Sequence, residues 1–347
     1  MNGATDTDID VVIPWVDDSD ATWQQARAQY LSEFSEPTDH LPHYFRSWDT
    51  LRYVLRGIET YMPWVGQVHL LTCGQVPAWL NTAHPKLRLH THADFFSADS
   101  ALPVFSCNPI EMNLMNIPGL AERFIYFNDD TLVMKPVTPQ RFFHDNLPVD
   151  YLVLDFPRGG WLYDRIRIKD TYADICKNSI RLLNGIYPLR TLFRQRKELI
   201  YHATYKPLDK CRNRILHLIG KYKWIKVNHH PQAMLLANLR KCRELFPAEM
   251  TRTAQTRFRA HTDLNQYLYR NLALMSGHFH PHFYDDAFCM VLSDIKRYQK
   301  ERHALSERTF VCVNDSPFLS ETEYPELKRL VTEDLNRLLP QKSAYEL

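Results

Sequence analysis

Apolar residues in the first 150 positions follow two alternating rhythms. Residues 9–16 (IDVVIPWV) form a β-branched run that stops at Asp17, Asp18, Ser19 and Asp20, the pattern of a buried strand feeding a polar loop. Residues 50–61 instead place Leu51, Val54, Leu55 and Ile58 at i, i+3, i+4 and i+7, one face of a helix, and Pro63 ends it. Residues 67–72 (QVHLLT) read as the next strand, closed by Cys73-Gly74, and 87–92 as another. Residues 108–115 read as a helix ended by Pro118-Gly119, and 123–127 (RFIYF) as a strand that hands over to Asn128, Asp129 and Asp130. Strands alternating with helices predict an α/β fold with a mainly parallel sheet and helices on both faces.

The rhythm changes after this. Between residues 161 and 226 there are 16 Lys or Arg against 5 Asp or Glu, with Ile180, Leu182, Leu183, Ile186, Leu192 and Phe193, then Ile215, Leu216, Leu218 and Ile219, set between the charges. This predicts basic amphipathic helices, either a solvated helical insertion or a surface for an anionic partner such as a lipid headgroup layer or a phosphate-bearing polymer. From His229 onward the pattern is largely helical, best over 232–245 and 264–274, with a strand-like run at 309–313 (TFVCV) that leads into Asn314 and Asp315. A polar amphipathic helix follows from Glu323. The expected organisation is therefore 1–155, the first part of a catalytic core; 156–228, the basic insertion; and 229–347, which completes the core and adds a terminal helix.

Composition narrows the function classes. The 347 residues are 45% hydrophobic, enough for a sizeable core, and 42 Lys plus Arg against 40 Asp plus Glu give no global signature of nucleic-acid binding. No run approaches the roughly 18 apolar residues that would span a bilayer, and Met1 to Asp8 hold no apolar leader segment. Seven cysteines lie far apart with no CxxC pair, which fits reduced thiols in a cytoplasmic protein.

Ligands of parallel sheets bind outside the carboxyl ends of the strands. Three acidic groups are expected there: Asp17, Asp18 and Asp20; Asp129 and Asp130; and Asp315. Gathered carboxylates call for a hard divalent cation shared with substrate phosphates. Arg52 and Arg56, four apart on one helix, could form a guanidinium fork for phosphate, as could a nearby Arg46. His229 and His230 precede Pro231, and Arg257, Arg259, His261 and Asp263 follow about thirty residues on; an imidazole near neutrality can take a proton from an acceptor hydroxyl. The alternating His278, His280 and His282 read as a strand or loop face rather than a zinc site.

Four blocks of residues together resemble the Stealth family of bacterial capsular polysaccharide phosphotransferases, which includes the catalytic subunit of the animal lysosomal-enzyme N-acetylglucosamine-1-phosphotransferase. They are DVVIPWVDDSD (10–20); a long block from Phe45 to Phe143 holding FRSWDTLRYVLRGIETYMPWV, GQVPAWLN, LPVFSCNPIE and IPGLAERFIYFNDDTL; HHPQAM with FPAEMTRTAQTRFRAHTD (229–263); and FVCVND (310–315). They span about half the chain in the family's order. The resemblance implies a GT-A-like, Rossmann-type core and a sugar-1-phosphate transferase using a UDP-sugar donor and an oligo- or polysaccharide acceptor, with Mg²⁺ or Mn²⁺. It implies catalytic roles for His229, Arg259, Arg52 and Asp315, metal ligation by Asp129, Asp130 and Asp315, and a donor site lined by Asp17, Asp20, Arg46, Asp49, Asn128 and Asn314. Ser316 stands where relatives often carry a second acid or amide. Two rival readings remain at this point: a GT-A glycosyltransferase that releases UDP, and a non-enzymatic module that grips an anionic polymer. The expected location is cytoplasmic, with peripheral contact on the inner membrane through 161–226; the oligomeric state is left open, a dimer of this chain being one option.

Overall fold

A computed structural model describes residues 9–33, 46–156 and 171–347. The start of the basic stretch (161–170) and Phe45 of the second block lie outside the described residues. Strand β1 (Ile9–Pro14) is the axis of the main sheet, with Ile9, Val11, Val12 and Ile13 wholly buried. Such a run, apolar on both faces, is what a central parallel strand requires. It pairs in parallel with β2 (Val68–Thr72) through Val11↔Val68 and with β4 (Arg123–Tyr126) through Val11↔Ile125, while β3 (Leu87–Thr91) extends the sheet beside β2. The order is β3-β2-β1-β4-β8, in which β8 (Gln232–Leu235) runs antiparallel to β4. The expected Rossmann-type α/β core is thus present, with apolar cores on both sides. Ile9, Val11, Ile13 and Ile125 point to one, Val12, Phe124 and Tyr126 to the other.

Asp10 locks the amino-terminal edge of this sheet. Its Oδ1 accepts from the Gln67 backbone N–H (2.8 Å), its Oδ2 from the Ala121 N–H (2.9 Å), and His69 Nε2 lies 3.1 Å away. This carboxylate ties the starts of three strands together, at the edge opposite to their carboxyl ends.

The structure departs from the sequence expectations in several places. Residues 232–245 are not one helix: Gln232–Leu235 is β8, and the helix is Leu236–Leu245. Gln232 and Met234 are buried while Ala233 and Leu235 are half-buried, a two-residue period that follows Pro231 and pairs with β4. The part beyond His229 also holds a strand the sequence reading missed, β10 (Ala287–Leu292). It pairs in parallel with β11 (Phe310–Asp315), which pairs antiparallel with β5 (Thr131–Val133). Asp315 therefore ends a strand of a second sheet, ordered β10-β11-β5, and not of the main one. A third small sheet joins β6 (Phe143–His144), β7 (Leu147–Asp150) and β9 (His280–Pro281).

β5 begins directly after Asp130, so the Asn128-Asp129-Asp130 turn is the step from one sheet to the other. The helix Leu51–Tyr61 crosses β5 at Gly57, where an added Cβ would press on the Val133 carbonyl oxygen; only glycine permits that approach. The basic stretch does not fold apart. Ile180, Leu183, Leu189, Leu192, Ile200 and Leu216 share one core with Phe124, Tyr126 and the helix Tyr267–Ser276. Among the described residues no helix is long and apolar enough to cross a membrane.

Candidate functional site

The carboxyl end of β4 is the focus. Phe127 continues the ladder by donating its N–H to the Val12 carbonyl (2.9 Å), and the chain then turns through Asn128, whose carbonyl accepts from Thr131 N–H at 3.2 Å. Asp130 is held by the second sheet: its carbonyl accepts from Val313 N–H (2.9 Å), its Oδ2 from the Cys312 thiol (3.3 Å) and its Oδ1 from the Thr131 hydroxyl (3.1 Å). Burial and the neighbouring Asp130 push the Asp129 carboxyl up to about 7. Asp130 is raised as well, chiefly by burial, with His229 opposing the shift. Among the described residues no Lys or Arg pairs with either carboxylate. Two adjacent acids that resist ionisation for want of a counter-charge are chemically fitted to a cation.

The sheet register explains how a residue a hundred positions away reaches this turn. β8 runs antiparallel to β4 with Tyr126 opposite Gln232. His229, three residues before Gln232, thus arrives beyond the end of β4, beside the acid pair, and is exposed to solvent there. Its neighbour His230 is half-buried, and burial followed by the charge of Arg141 depresses its imidazole to about 4, so His230 stays neutral at pH 7.

Arg259 belongs to an adjoining polar cluster. Phe258 stacks on Phe105 (5.1 Å between ring centres), and Phe105 N–H donates to the Arg257 carbonyl (2.7 Å), so this segment threads alongside the start of the helix Cys107–Asn113. The Arg259 guanidinium reaches the Cys107 sulfur at 3.8 Å. Beneath it lies Glu111, whose Oε1 accepts from the Tyr126 hydroxyl (3.0 Å) and whose Oε2 accepts from Gln266 N–H (2.7 Å). Burial raises Glu111 to about 7, against the pull of these donors and of Arg259. Asp263 is raised by burial to about 6, and its Oδ2 accepts from Ala260 N–H and Asn108 Nδ2, both at 2.9 Å. Tyr126 links the two groups, since its hydroxyl feels both Glu111 and Asp129. Glu111 went unrecognised in the sequence although it stands in the NPIE segment; the available signal was an acid in an otherwise apolar helix turn.

The remaining expected site residues divide. Asp315 does not join Asp129 and Asp130. Arg46 takes both its oxygens (Nε–Oδ2 2.9 Å, a second guanidinium nitrogen to Oδ1 3.0 Å), and Ser316 N–H donates to Oδ1 as well. Among the described residues no three His, Cys, Asp or Glu side chains converge as a metal cage. The three-carboxylate set is therefore corrected to a pair, with Asp315 and Arg46 neutralising one another. Asn314 lies one residue before Asp315 on β11, opposite Val291. Asp17 is clasped by Gln75, which accepts its N–H and donates to its carbonyl, both at 2.8 Å. Asp20 caps the helix Ala21–Ser32 through Oδ1, which accepts from Trp23 N–H (2.7 Å). Asp49, in the left-handed region (φ 54°), pairs with Lys328 at 2.7 Å.

The Arg52–Arg56 fork does not form at the site. Arg56 is buried in a bidentate pair with Glu346 (2.7 and 2.8 Å) and donates to the Leu339 carbonyl (2.7 Å), while Arg52 lies over the Trp79 ring (5.1 Å) and 3.8 Å from the same Glu346. The carboxylate that claims both guanidiniums is some 290 residues away in sequence, beyond the reach of a helical spacing argument.

Residues 7–35 match the family description Stealth protein CR1, conserved region 1, and residues 44–149 match Stealth protein CR2, conserved region 2. The capsular polysaccharide phosphotransferase WcwK of Streptococcus pneumoniae is 28% identical over 342 residues, covering 97% of this chain and 98% of that protein. The receptor polysaccharide phosphotransferase WefC of Streptococcus oralis is 30% identical over 361 residues, covering 98% and 99%. Among solved structures, galactosyltransferase LgtC in complex with donor and acceptor sugar analogs aligns over 94% of this chain and 95% of its own with a TM-score of 0.41 and 11% identity. Full-length similarity at this level, together with both conserved regions in their order, establishes that the chain belongs to the Stealth family.

Proposed function

We propose that this protein transfers a hexose- or N-acetylhexosamine-1-phosphate from a UDP-sugar to a hydroxyl of a growing capsular or cell-surface glycan, forming a phosphodiester and releasing UMP. The observation that carries the reading is the uncompensated Asp129–Asp130 pair with His229 beside it. In this reaction the acceptor oxygen bonds to the phosphorus nearest the sugar, the bond from that phosphorus to the bridging oxygen breaks, and UMP departs with the electron pair. The sugar C1–O bond stays intact, so the anomeric configuration is kept.

His229, exposed to solvent and beside Asp130, would take the acceptor proton. Arg259, backed by Glu111 and Asp263, would hold the non-bridging phosphate oxygens as charge develops. Asp129 and Asp130 would hold Mg²⁺ or Mn²⁺. A Mg²⁺ ion takes one or two carboxylates and completes its shell with water and phosphate oxygens, which suits a pair of acids rather than a cage. When bound, the cation would neutralise the diphosphate.

His229→Ala should lower turnover by on the order of 10²-fold, with the melting temperature unchanged because the side chain is exposed. The reaction class is tested by incubating the protein with UDP-sugars, Mg²⁺ and an oligosaccharide acceptor. A new phosphodiester resonance in ³¹P NMR with equimolar UMP supports sugar-phosphate transfer. UDP as the released nucleotide would reassign the protein to glycosyl transfer.

A further inference from the structure

Among the described residues ten large hydrophobic side chains are well exposed, and four of them, Leu208 (79%), Ile215 (59%), Leu218 (73%) and Ile219 (48%), fall within one twelve-residue stretch. They belong to the helix Pro207–Leu216 and the single turn His217–Ile219 that continues it. Leu208, Ile215 and Leu218 sit at i, i+7 and i+10, one stripe along the solvent side. The helix is not free to roll and bury this stripe, because its inner face is fastened. Asn213 Nδ2 donates to the carbonyls of Leu152 (2.9 Å) and Ile200 (2.8 Å), its Oδ1 accepts from Leu154 N–H (2.6 Å), and Asp209 pairs with Lys226 (3.1 Å).

The surroundings of the stripe are cationic. Residues 210–226 contain six Lys or Arg and no acid; Arg212 and Lys226 pair with Asp155 and Asp209, while Lys210, Arg214, Lys221 and Lys223 form no ion pair among the described residues. Arg190 joins them from the helix Leu189–Gln195: its guanidinium lies against Gly220, and Phe193 from the same helix stacks flat on His217 at 4.1 Å.

We infer that this tip is a docking surface for an anionic lipid bilayer. The leucine and isoleucine side chains would enter the acyl boundary while Lys210, Arg214 and Lys221 stay at headgroup level, the arrangement of an interfacial amphipathic helix. Charge selects this occupant. A second copy of the chain would set cations against cations. A soluble anionic polymer would satisfy the cations and leave the apolar stripe in water. The inference is independent of the transfer reaction proposed above.

The test is co-sedimentation of the full chain with vesicles of mixed phosphatidylglycerol and phosphatidylcholine, against vesicles of phosphatidylcholine alone. Binding should require the anionic lipid and fall as salt is raised. The combined Leu208→Ser, Ile215→Ser, Leu218→Ser and Ile219→Ser variant should partition more weakly by on the order of ten-fold or more. The combined Lys210→Glu, Arg214→Glu and Lys221→Glu variant should do the same. All these positions are exposed except Lys210, which is half-buried and donates to the Ala203 carbonyl (3.1 Å), and circular dichroism melting verifies that the variants fold. Equal binding to both vesicle types, or binding indifferent to the serine variant, overturns the inference. A dimer in sedimentation velocity that the serine variant dissolves also overturns it, in favour of self-association.

Discussion

Asp130→Asn is expected to reduce sugar-phosphate transfer by on the order of 10³-fold while the protein melts at the same temperature or higher. The two effects have one cause. Asp129 and Asp130 are adjacent acids whose burial and mutual repulsion oppose ionisation, and among the described residues no Lys or Arg offsets them. Replacing one carboxylate by an isosteric amide relieves that repulsion, but removes half of the anionic pair proposed to hold the metal. Proton linkage gives a second observable. Asp129 has a folded-state value near 7, above the ordinary 3.8 of an unfolded chain. Its contribution to stability is therefore present in full at acid pH and is lost as pH rises from about 4 to about 7. A cation must displace the proton to bind, so the rise in melting temperature on adding Mg²⁺ should be larger at pH 8 than at pH 6, and absent from Asp130→Asn. Thermal melts across pH and Mg²⁺, alongside a product assay, measure all of this. An Asp130→Asn protein that retains transfer would remove the acid pair from the mechanism.

Asp150→Ala is expected to lower folding stability by about 3–5 kcal/mol. Asp150 ends β7, and Arg270 comes from the helix Tyr267–Ser276. Their side chains are 9% and 3% exposed and meet through two bonds, Nε–Oδ2 at 2.7 Å and a second nitrogen to Oδ1 at 2.8 Å. The same guanidinium donates to the Lys226 carbonyl (3.2 Å) and lies over the Tyr151 ring (5.3 Å). Truncating the acid strands a buried cation, which accounts for most of the loss. Asp150→Ala with Arg270→Met should therefore recover part of it, since an uncharged pair leaves no orphaned charge. Chemical denaturation of the two single variants and the double variant gives the coupling. Strictly additive losses would show that the pair is not the source of the effect.

Local pattern was enough for the main sheet. β1, β2 and β4 are short apolar runs bounded by turn formers, and their parallel order follows from the helices between them. It was not enough for β8, whose four residues are continuous with a helical pattern and become a strand only because β4 offers an unpaired edge. β10 likewise was missed, since its pairing partner lies beyond two helices, Ile295–Glu301 and Ala304–Glu307. At the site, the Asn128-Asp129-Asp130 turn and His229 were legible because motifs carried them. Ion-pair partners were not: Arg46 with Asp315, Arg56 with Glu346 and Arg270 with Asp150 are separated by 120 to 290 residues, and nothing in sequence spacing reports such contacts. Asp20, an acid beyond a strand end, also serves as a helix cap, a task the strand pattern does not report.

The turn that carries the acid pair is also the joint between two sheets. Asp129 lies just beyond β4 of one layer, and the Asp130 carboxylate and carbonyl are tethered to β11 in the other. A ligand gripped by both carboxylates would thus act as a rivet through two plates, resisting any tilt of one against the other. Donor loading would then stiffen the molecule far from the pyrophosphate itself, and an empty turn would be its most compliant seam.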